Sequence, residues 1–396
     1  MDVRYEKART EDYDEVIDLA NYVFSHDHRP HDFPAMLPKL YKREYFTDNI
    51  HYAAREGGKI RAVVGAYPLE LEFPGQSISG RGIGMVSVHP YSRSRGYMKE
   101  LMKMALDDMR HDGVVFSCLS GRRQRYEYFG YGLAGSVWAF TCGEDNIRHT
   151  LGPQWSSGLS LRSVGPGDAA LLDEIYALHQ AKIARCKRRR DRLYEILSSW
   201  KAHVFAVTEG SRFEGYFISS NATSGEDREI SEINLLDFSR LPEVLGLFLR
   251  QAPGMQGSLR ISAGPHEGEK LAALSGFAQT YTQGPAYQFA VFDYPRFVDP
   301  FLKLRARERN LAEGSFCFRI EGGKRLRLAV ERGAASITET DGTGDRNSPE
   351  LSLSNLEALN FFFSPLAAQT TPAIGKSAFL QSLLPLPLFV ENPDKI

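Results

Sequence analysis

The stretch from Gly84 to Leu106, GMVSVHPYSRSRGYMKELMKMAL, constrains this chain more than any other. Met85, Ser87 and His89 alternate with Val86 and Val88, a pattern that predicts a strand ended by Pro90. A short basic loop, Tyr91 to Arg95, leads to Gly96. Beyond it Met98, Leu101, Met102, Ala105 and Leu106 recur at helical spacing. Strand, basic loop and helix in that order bring unpaired backbone N–H groups and the positive end of a helix dipole to one place, which suits a phosphate. Arg93 and Arg95 add charge, and Gly96, with no Cβ, lets a ligand come close to the backbone. The plain alternative is a basic surface turn between a strand and a helix.

Composition narrows the classes open to the rest. The chain has 396 residues, enough for two or three domains, with 42% hydrophobic and 24% charged residues, ordinary for a globular protein. A net charge of −1 gives no global attraction to nucleic acid or to an anionic membrane. Cys118, Cys142, Cys186 and Cys317 are scattered and form no C-x-x-C, which argues against a disulfide framework or a zinc site and fits a reducing compartment. The acidic, polar start MDVRYEKARTEDYDE does not read as a signal peptide, and no apolar run approaches the roughly 20 residues of a membrane span. A cytoplasmic location is the default expectation.

In chain order, Val3 to Lys7 is expected as a strand. Thr10 is expected to cap a helix striped by Tyr13, Val16, Ile17, Ala20, Val23 and Phe24. His26, His28, His31 and Asp32 follow in a polar loop without a regular ligand framework, so a solvated or substrate-lining loop is expected and no metal. Strands at His51–Arg55 and Lys59–Leu71, joined at Gly57-Gly58, precede the opening stretch. Val114–Leu119, Arg122–Tyr128 and a strand at Ser136–Thr141 follow it. After a Gly/Pro/Ser-rich linker near 152–167, the order repeats more weakly. Leu159–Val164 is a strand and Asp168–Gln180 a helix. Val204–Thr208, Phe213–Ser219 and Ile230–Leu236 are strands, and Leu241–Leu249 is a helix, but no Arg-x-x-Gly loop appears. The run Lys187–Arg192, KRRRDR, reads as a solvated helix end or an intersubunit face rather than a nucleic-acid patch. From Arg296 a helix, three strands (Gly314–Glu321, Arg325–Glu331, Ala334–Thr338), a polar loop (Asp341–Pro349) and further helices complete the chain.

Two motifs carry a family resemblance. Arg93-x-x-Gly96-x-Met98 resembles the pyrophosphate loop of GNAT acetyltransferases, Arg/Gln-x-x-Gly-x-Gly/Ala. Met98 departs from the small last residue as the Eis-like (enhanced intracellular survival) branch does, and Val86-x-Val88-x-Pro90-x-x-Arg93-x-Arg95-Gly96 is similar to that branch. Tyr126-Glu127-Tyr128-Phe129-Gly130-Tyr131-Gly132 is similar to its Tyr-x-x-Phe-Gly-Tyr-Gly. The resemblance implies an α/β fold of mixed sheets. Its units would be a GNAT acetyltransferase domain at 1–150, a second GNAT-like domain at 151–293 lacking the cofactor loop, and a sterol-carrier-protein-like domain at 294–396.

The resemblance further implies acetyl-CoA as co-substrate, held by the backbone of Val86, Ser87 and Val88 and by Arg93, Ser94, Arg95, Gly96, Tyr97, Met98 and Lys99. Tyr126 would be the general acid. The carboxylate of Ile396 would position the ammonium and take its proton through water. The acceptor would be a primary amine of an aminoglycoside-like compound, a polyamine or a lysine, and the assembly a homo-oligomer, a hexamer in the family. A different class of function remains, a lipid or hydrophobic-ligand binding protein that uses the last domain with the others as scaffold.

Overall fold

The computed structural model describes residues 3–27, 29–220, 228–251, 258–340 and 351–396. His28 and the loop expected at Asp341–Pro349 lie outside them. The described strands are β1 (Val3–Lys7), β2 (His51–Glu56), β3 (Lys59–Phe73), β4 (Gln76–Val88), β5 (Phe116–Leu119), β6 (Gly132–Ala134), β7 (Val137–Cys142), β8 (Leu159–Ser163), β9 (Arg185–Cys186), β10 (His203–Glu209), β11 (Arg212–Ser219), β12 (Arg228–Leu235), β13 (Leu259–Ala263), β14 (Thr280–Gly284), β15 (Tyr287–Val291), β16 (Gly314–Ile320), β17 (Arg325–Glu331), β18 (Ala334–Glu339) and β19 (Leu351–Leu353). They form three mixed sheets, so the chain is α/β. The first runs β1-β2-β3-β4-β5-β15-β6 with β9 against β3, the second β14-β7-β13-β12-β11-β10-β8, and the third β18-β17-β16-β19.

The helix Tyr13–Asp27 covers one face of the first sheet through Val16, Ile17, Ala20 and Val23, which pack with Val63, Tyr67 and Met85. The helix Tyr97–His111 covers the other through Leu101, Met102, Ala105 and Leu106, packed on Val64, Ile83 and Leu119. Both are stripes at three- and four-residue spacing that leave water when the sheet is covered. Thr10 is not the cap of the first helix. Its backbone N–H and its hydroxyl both donate to Asp48 at 2.6 Å, and a short 3-10 turn, Thr10–Asp12, leads into the helix.

Two observations shape the site. β4 starts at Gln76, straight after the Pro74-Gly75 turn, rather than at Met85. Gly80, Gly82 and Gly84 hid this half of the strand, because glycine carries no strand propensity. Their missing side chains are used. The Phe116 ring lies over Gly80, and the Ile396 side chain lies over Gly82 and Gly84. Second, the sheets exchange strands. β7 lies before residue 150 yet belongs to the second sheet, and β15 lies before residue 293 yet sits between β5 and β6 of the first. All five residues of β15 are buried, as a strand covered on both faces requires.

The second sheet repeats the order of the first: β8, the helix Ala169–Gln180, β10, β11, β12, a short turn, the helix Leu241–Gln251 and β13. The third sheet packs on a phenylalanine core in which Phe297, Phe318, Phe361, Phe362 and Phe363 are fully buried.

Candidate active site

β4 is bonded on one side to β3 and on the other, in parallel, to β5. The parallel pairing covers Gly80–Ile83 against Phe116–Leu119 and stops there, while β4 runs on to Val88. The β3 ladder shifts by one residue at the same point. Val63 faces Ser87 and Gly65 faces Gly84, so β4 carries an extra residue beside Met85, whose φ is +54°. This bulge bends β4 away from β5 and leaves its Gly84–Val88 edge without a strand on the β5 side among the described residues. Such an edge accepts an extended ligand as a further strand.

That edge leads directly into the basic loop. Ser94 (φ +66°) and Gly96 (φ +82°) are both left-handed, which turns successive backbone N–H groups toward one side, a nest for an anion. At Gly96 the φ is what demands glycine, since a Cβ there would meet open space. The helix Tyr97–His111 starts at this point and adds its dipole. Arg93 donates to Asp27 at 2.6 Å and Arg95 to Glu56 at 2.6 Å, so both guanidinium groups are held in place from neighbouring elements. The Arg93 partner and His26 hold the Asp27 carboxyl below its ordinary range, the His26 hydrogen bond first. Lys99 lies over the Tyr128 ring at 4.6 Å.

A cleft of about 820 Å³ opens here. Val86, Val88, Arg93, Ser94, Arg95, Gly96, Tyr97, Met98 and Lys99 all line it. Ser87 does not, because strand alternation turns its side chain inward, where it is fully buried. Arg122 and Arg125 also line the cleft, from the short helix Arg123–Glu127 and its cap. They were missed in the sequence, although an Arg-Arg-x-Arg run directly before Tyr126 is a local signal. Tyr126 belongs to that same helix but points inward. Its ring packs on Gly121 and edge-on to Tyr131, and burial raises its phenol above the usual value, with Arg125 pulling the other way.

Ile396 sits on the opposite face of β4. It packs with Tyr41, Tyr67 and Met85, and its main-chain oxygen accepts from the Tyr287 hydroxyl at 2.7 Å. A Cβ at Gly84 would lie 2.6 Å from Ile396 Cγ2, and one at Gly82 would overlap Ile396 Cδ1. Lys39, almost fully buried, donates to the carbonyls of Pro393 (2.6 Å) and Lys395 (2.5 Å), and burial pulls its ammonium down to about 8. Nearby His51 bonds Tyr67 Oη through Nε2 at 2.9 Å and is stacked on Phe46.

The basic run Lys187–Arg192 follows β9 rather than ending a helix, and it is solvated only in part, at Lys187, Arg189 and Asp191. Arg188 is fully buried among Glu232, Glu391 and Asp394, Lys187 pairs with Glu70, Arg190 with Asp173, and Arg192 lies over the Tyr45 ring. The first helix runs on through His26 and Asp27, which pair with each other in its last turn, so the polar loop starts later than expected. In it His31 bonds the Arg29 carbonyl, and Asp32 caps the turn at Phe33–Met36. Among the described residues the set with metal-ligand spacing is instead the buried His179 of the helix Ala169–Gln180, Glu232 of β12 and Glu391 of the last segment. Lys182 and Arg188 already occupy both carboxylates, so a cation would have to displace an ammonium and a guanidinium there.

Burial also fixes how the site tolerates acid. Desolvation holds His51 neutral, with its value lowered to about 3, and His179 lowered to about 2. Both unfolded values are near 6.5, so each contribution is complete above that pH and is lost as pH falls toward the folded values. Each group costs about 1.4 kcal/mol per pH unit in that window. The urea midpoint is expected to fall between pH 6.5 and 5. His51→Gln, which keeps a partner for Tyr67, should flatten the decline by about one proton, and an unchanged slope would refute this account.

Residues 4–134 match the acetyltransferase (GNAT) domain family. An uncharacterized N-acetyltransferase of Streptomyces avermitilis is 28% identical over 125 residues, 31% of this chain and 30% of that protein's length. Among solved structures, a GCN5-related N-acetyltransferase from Kribbella flavida (17% identity, TM-score 0.67) covers 100% of this chain and 98% of its own. A probable N-acyltransferase from Enterococcus faecalis (17%, 0.68) covers 99% and 100%. Eis1 from Mycobacterium abscessus (13%, 0.61) covers 99% and 98%. At these identities the likeness is one of fold, and it extends over all three sheets. The family match falls on the sheet that carries the bulged β4, the left-handed loop and the cleft between them: the first third of the chain is a GNAT N-acetyltransferase domain.

Proposed function

We propose that the chain transfers an acetyl group from acetyl-CoA directly to a primary amine of a multi-amine acceptor, as an Eis-like enzyme. The observation that carries this reading is the open Gly84–Val88 edge of β4 running into the left-handed loop at Ser94 and Gly96. The pantetheine arm would pair with that edge, and the pyrophosphate would sit on the loop's N–H groups with Arg93 and Arg95 beside it. Arg122 and Arg125, across the cleft, face the same charge.

In the reaction the neutral amine's lone pair attacks the thioester carbonyl carbon, and the π pair moves onto oxygen. A backbone N–H at the bulge would stabilise that oxyanion. The intermediate collapses by breaking the C–S bond, the sulfur takes the phenol proton of Tyr126, and water returns a proton to the phenolate before the next cycle. The amine's protons leave on the Ile396 side, through water to a carboxylate when the chain ends there. Burial favours the neutral phenol, so Tyr126 enters each cycle as the acid. The units 1–150, 151–293 and 294–396, a sterol-carrier-like last unit, a cytoplasmic location and a hexamer belong to the same reading. The repeated order of the second sheet supports its middle part. The reading as a lipid-binding protein has less support, because phenylalanines fill the interior of the last unit.

A thiol-release assay with acetyl-CoA and a panel of polyamines and aminoglycosides tests the proposal. No thiol release together with no calorimetric binding of acetyl-CoA would overturn it. Within that assay Arg93→Ala or Arg95→Ala should raise KM for acetyl-CoA about tenfold to a hundredfold, the worth of a hydrogen bond to a charged group, with kcat nearly unchanged.

A further inference from the structure

The segment Leu388–Ile396 crosses from the second sheet to the first, and it is tied down along its whole length. The Leu388 carbonyl accepts from Ser136 N–H at 3.0 Å, and the Phe389 ring covers Gly264 at the end of β13. Asn392 Nδ2 donates to Glu229 of β12 at 2.9 Å, and Lys39 holds two carbonyls further on. Between these ties lies a buried charge cluster. Arg188 makes one two-pronged contact with Asp394 (Nε to Oδ1 2.9 Å, Nη2 to Oδ2 2.8 Å). It makes another with Glu232 of β12 (Nη1 to Oε1 3.1 Å, Nη2 to Oε2 2.6 Å), and Nη2 also reaches Glu391 at 3.4 Å. Lys182 pairs with Glu391 and Glu232, and the Tyr216 hydroxyl donates to Glu232.

The place of this cluster is informative. Among the described residues β12 and β13 pair in parallel over Arg228–Ile230 and Leu259–Ile261, and β12 then continues bonded to β11 on one side, as β4 continues on β3 beyond β5. Glu232 stands two residues past the last pair, as Met85 does in β4. In the first sheet Met85 packs against Ile396, and in the second Glu232 binds, through Arg188, the acidic residues just before Ile396. The second sheet thus offers the equivalent face of its splayed strand to the chain's own segment.

We propose that Arg188 is a positioning residue, which clamps Glu391 and Asp394 to Glu232 and so sets Ile396 beside Gly82 and Gly84 on the acceptor face of β4. Only a guanidinium has the donors and the planar fork to hold two carboxylates in pairs at once. The proposal rests on the acetyl-transfer reading for its catalytic consequence, and on the contacts alone for the clamp.

Hydrogen exchange of the 386–396 peptide and steady-state kinetics test the two parts. In Asp394→Asn, which keeps the shape of the tail and spares Arg188, tail exchange should speed up at least tenfold. Its kcat should fall at least tenfold while KM for acetyl-CoA stays within twofold, with thermal stability close to the wild type. Arg188→Lys should give an intermediate effect, and Arg188→Met the largest. Unchanged tail exchange in Asp394→Asn and Arg188→Lys overturns the clamp, and raised exchange with unchanged kcat overturns the positioning role. If the wild-type protein transfers no acetyl group to any acceptor, the acetyl-transfer reading fails, and the exchange result by itself still decides the clamp.

Discussion

Tyr126→Phe is expected to lower kcat by about a hundredfold to a thousandfold, the usual worth of a positioned general acid. KM for acetyl-CoA should hardly move, because the phenol would act on the sulfur only as the C–S bond breaks and not in the bound ground state. Stability should stay within about 1 kcal/mol, since the ring keeps its packing on Gly121 and Tyr131 and loses only an oxygen. That combination separates an acid from a packing residue. If Tyr126 only filled space, Phe would fill it as well and the rate would survive. A thiolate with a conjugate acid near ~8.5 is a weaker base than the phenolate of a tyrosine near ~10, and burial widens the gap here. Transfer from the phenol to the thiolate is therefore uphill, and it is drawn forward when water reprotonates the phenolate at the end of the cycle. An acyl donor whose thiol is more acidic needs that proton less. Acetyl transfer from a thioester of a low-pKa thiol should accordingly lose less in Tyr126→Phe than transfer from acetyl-CoA.

The parts of this site that were legible in the sequence are those whose chemistry is local. The loop from Arg93 to Lys99 needs a few consecutive residues, two left-handed positions and a helix start, and all are written in one short run. The stripes of the helices Tyr13–Asp27 and Tyr97–His111 are equally local. What was not legible depends on partners far along the chain. The first half of β4 is glycine-rich because Phe116 and Ile396 fill the space over it, and neither is near in sequence. The crossing of β7 and β15 between sheets leaves no mark in either strand, since a buried apolar run pairs equally well with either sheet. KRRRDR read as a solvated face because charge runs usually are. Arg188 is an exception only because Glu232, Glu391 and Asp394 meet it, from 44 to 206 residues away. The same distance explains why, in the sequence, only the family resemblance points to Ile396, while its neighbours Gly82, Gly84, Tyr67 and Tyr287 are apparent only in three dimensions.

In a protein that ends at Ile396, those neighbours make its last residue the point at which the proposed site is most open to test. Appending one alanine after Ile396 is expected to cut kcat by about a hundredfold or more while leaving KM for acetyl-CoA near its wild-type value. Two effects add. The extra residue replaces a carboxylate with a neutral amide, which removes the charge that would hold an ammonium and the group that receives its proton. It must also find room where Ile396 already fills the surface over Gly82 and Gly84 and bonds Tyr287, so the segment back to Asp394 must shift. In an interior packed as densely as a crystal, such a shift is not absorbed locally. The cofactor loop does not line the pocket around Ile396: none of Arg93–Lys99 is in the cluster that Ile396 packs against, so KM for acetyl-CoA should feel the change least. Replacing Ile396 by Leu in the unextended chain serves as the control, because it keeps the carboxylate while altering the packing. A large loss in the extended protein with a small one in Ile396→Leu assigns the effect to the charge, whereas equal losses assign it to packing and remove the carboxylate from the mechanism. Unchanged turnover in the extended protein would remove Ile396 from the mechanism altogether.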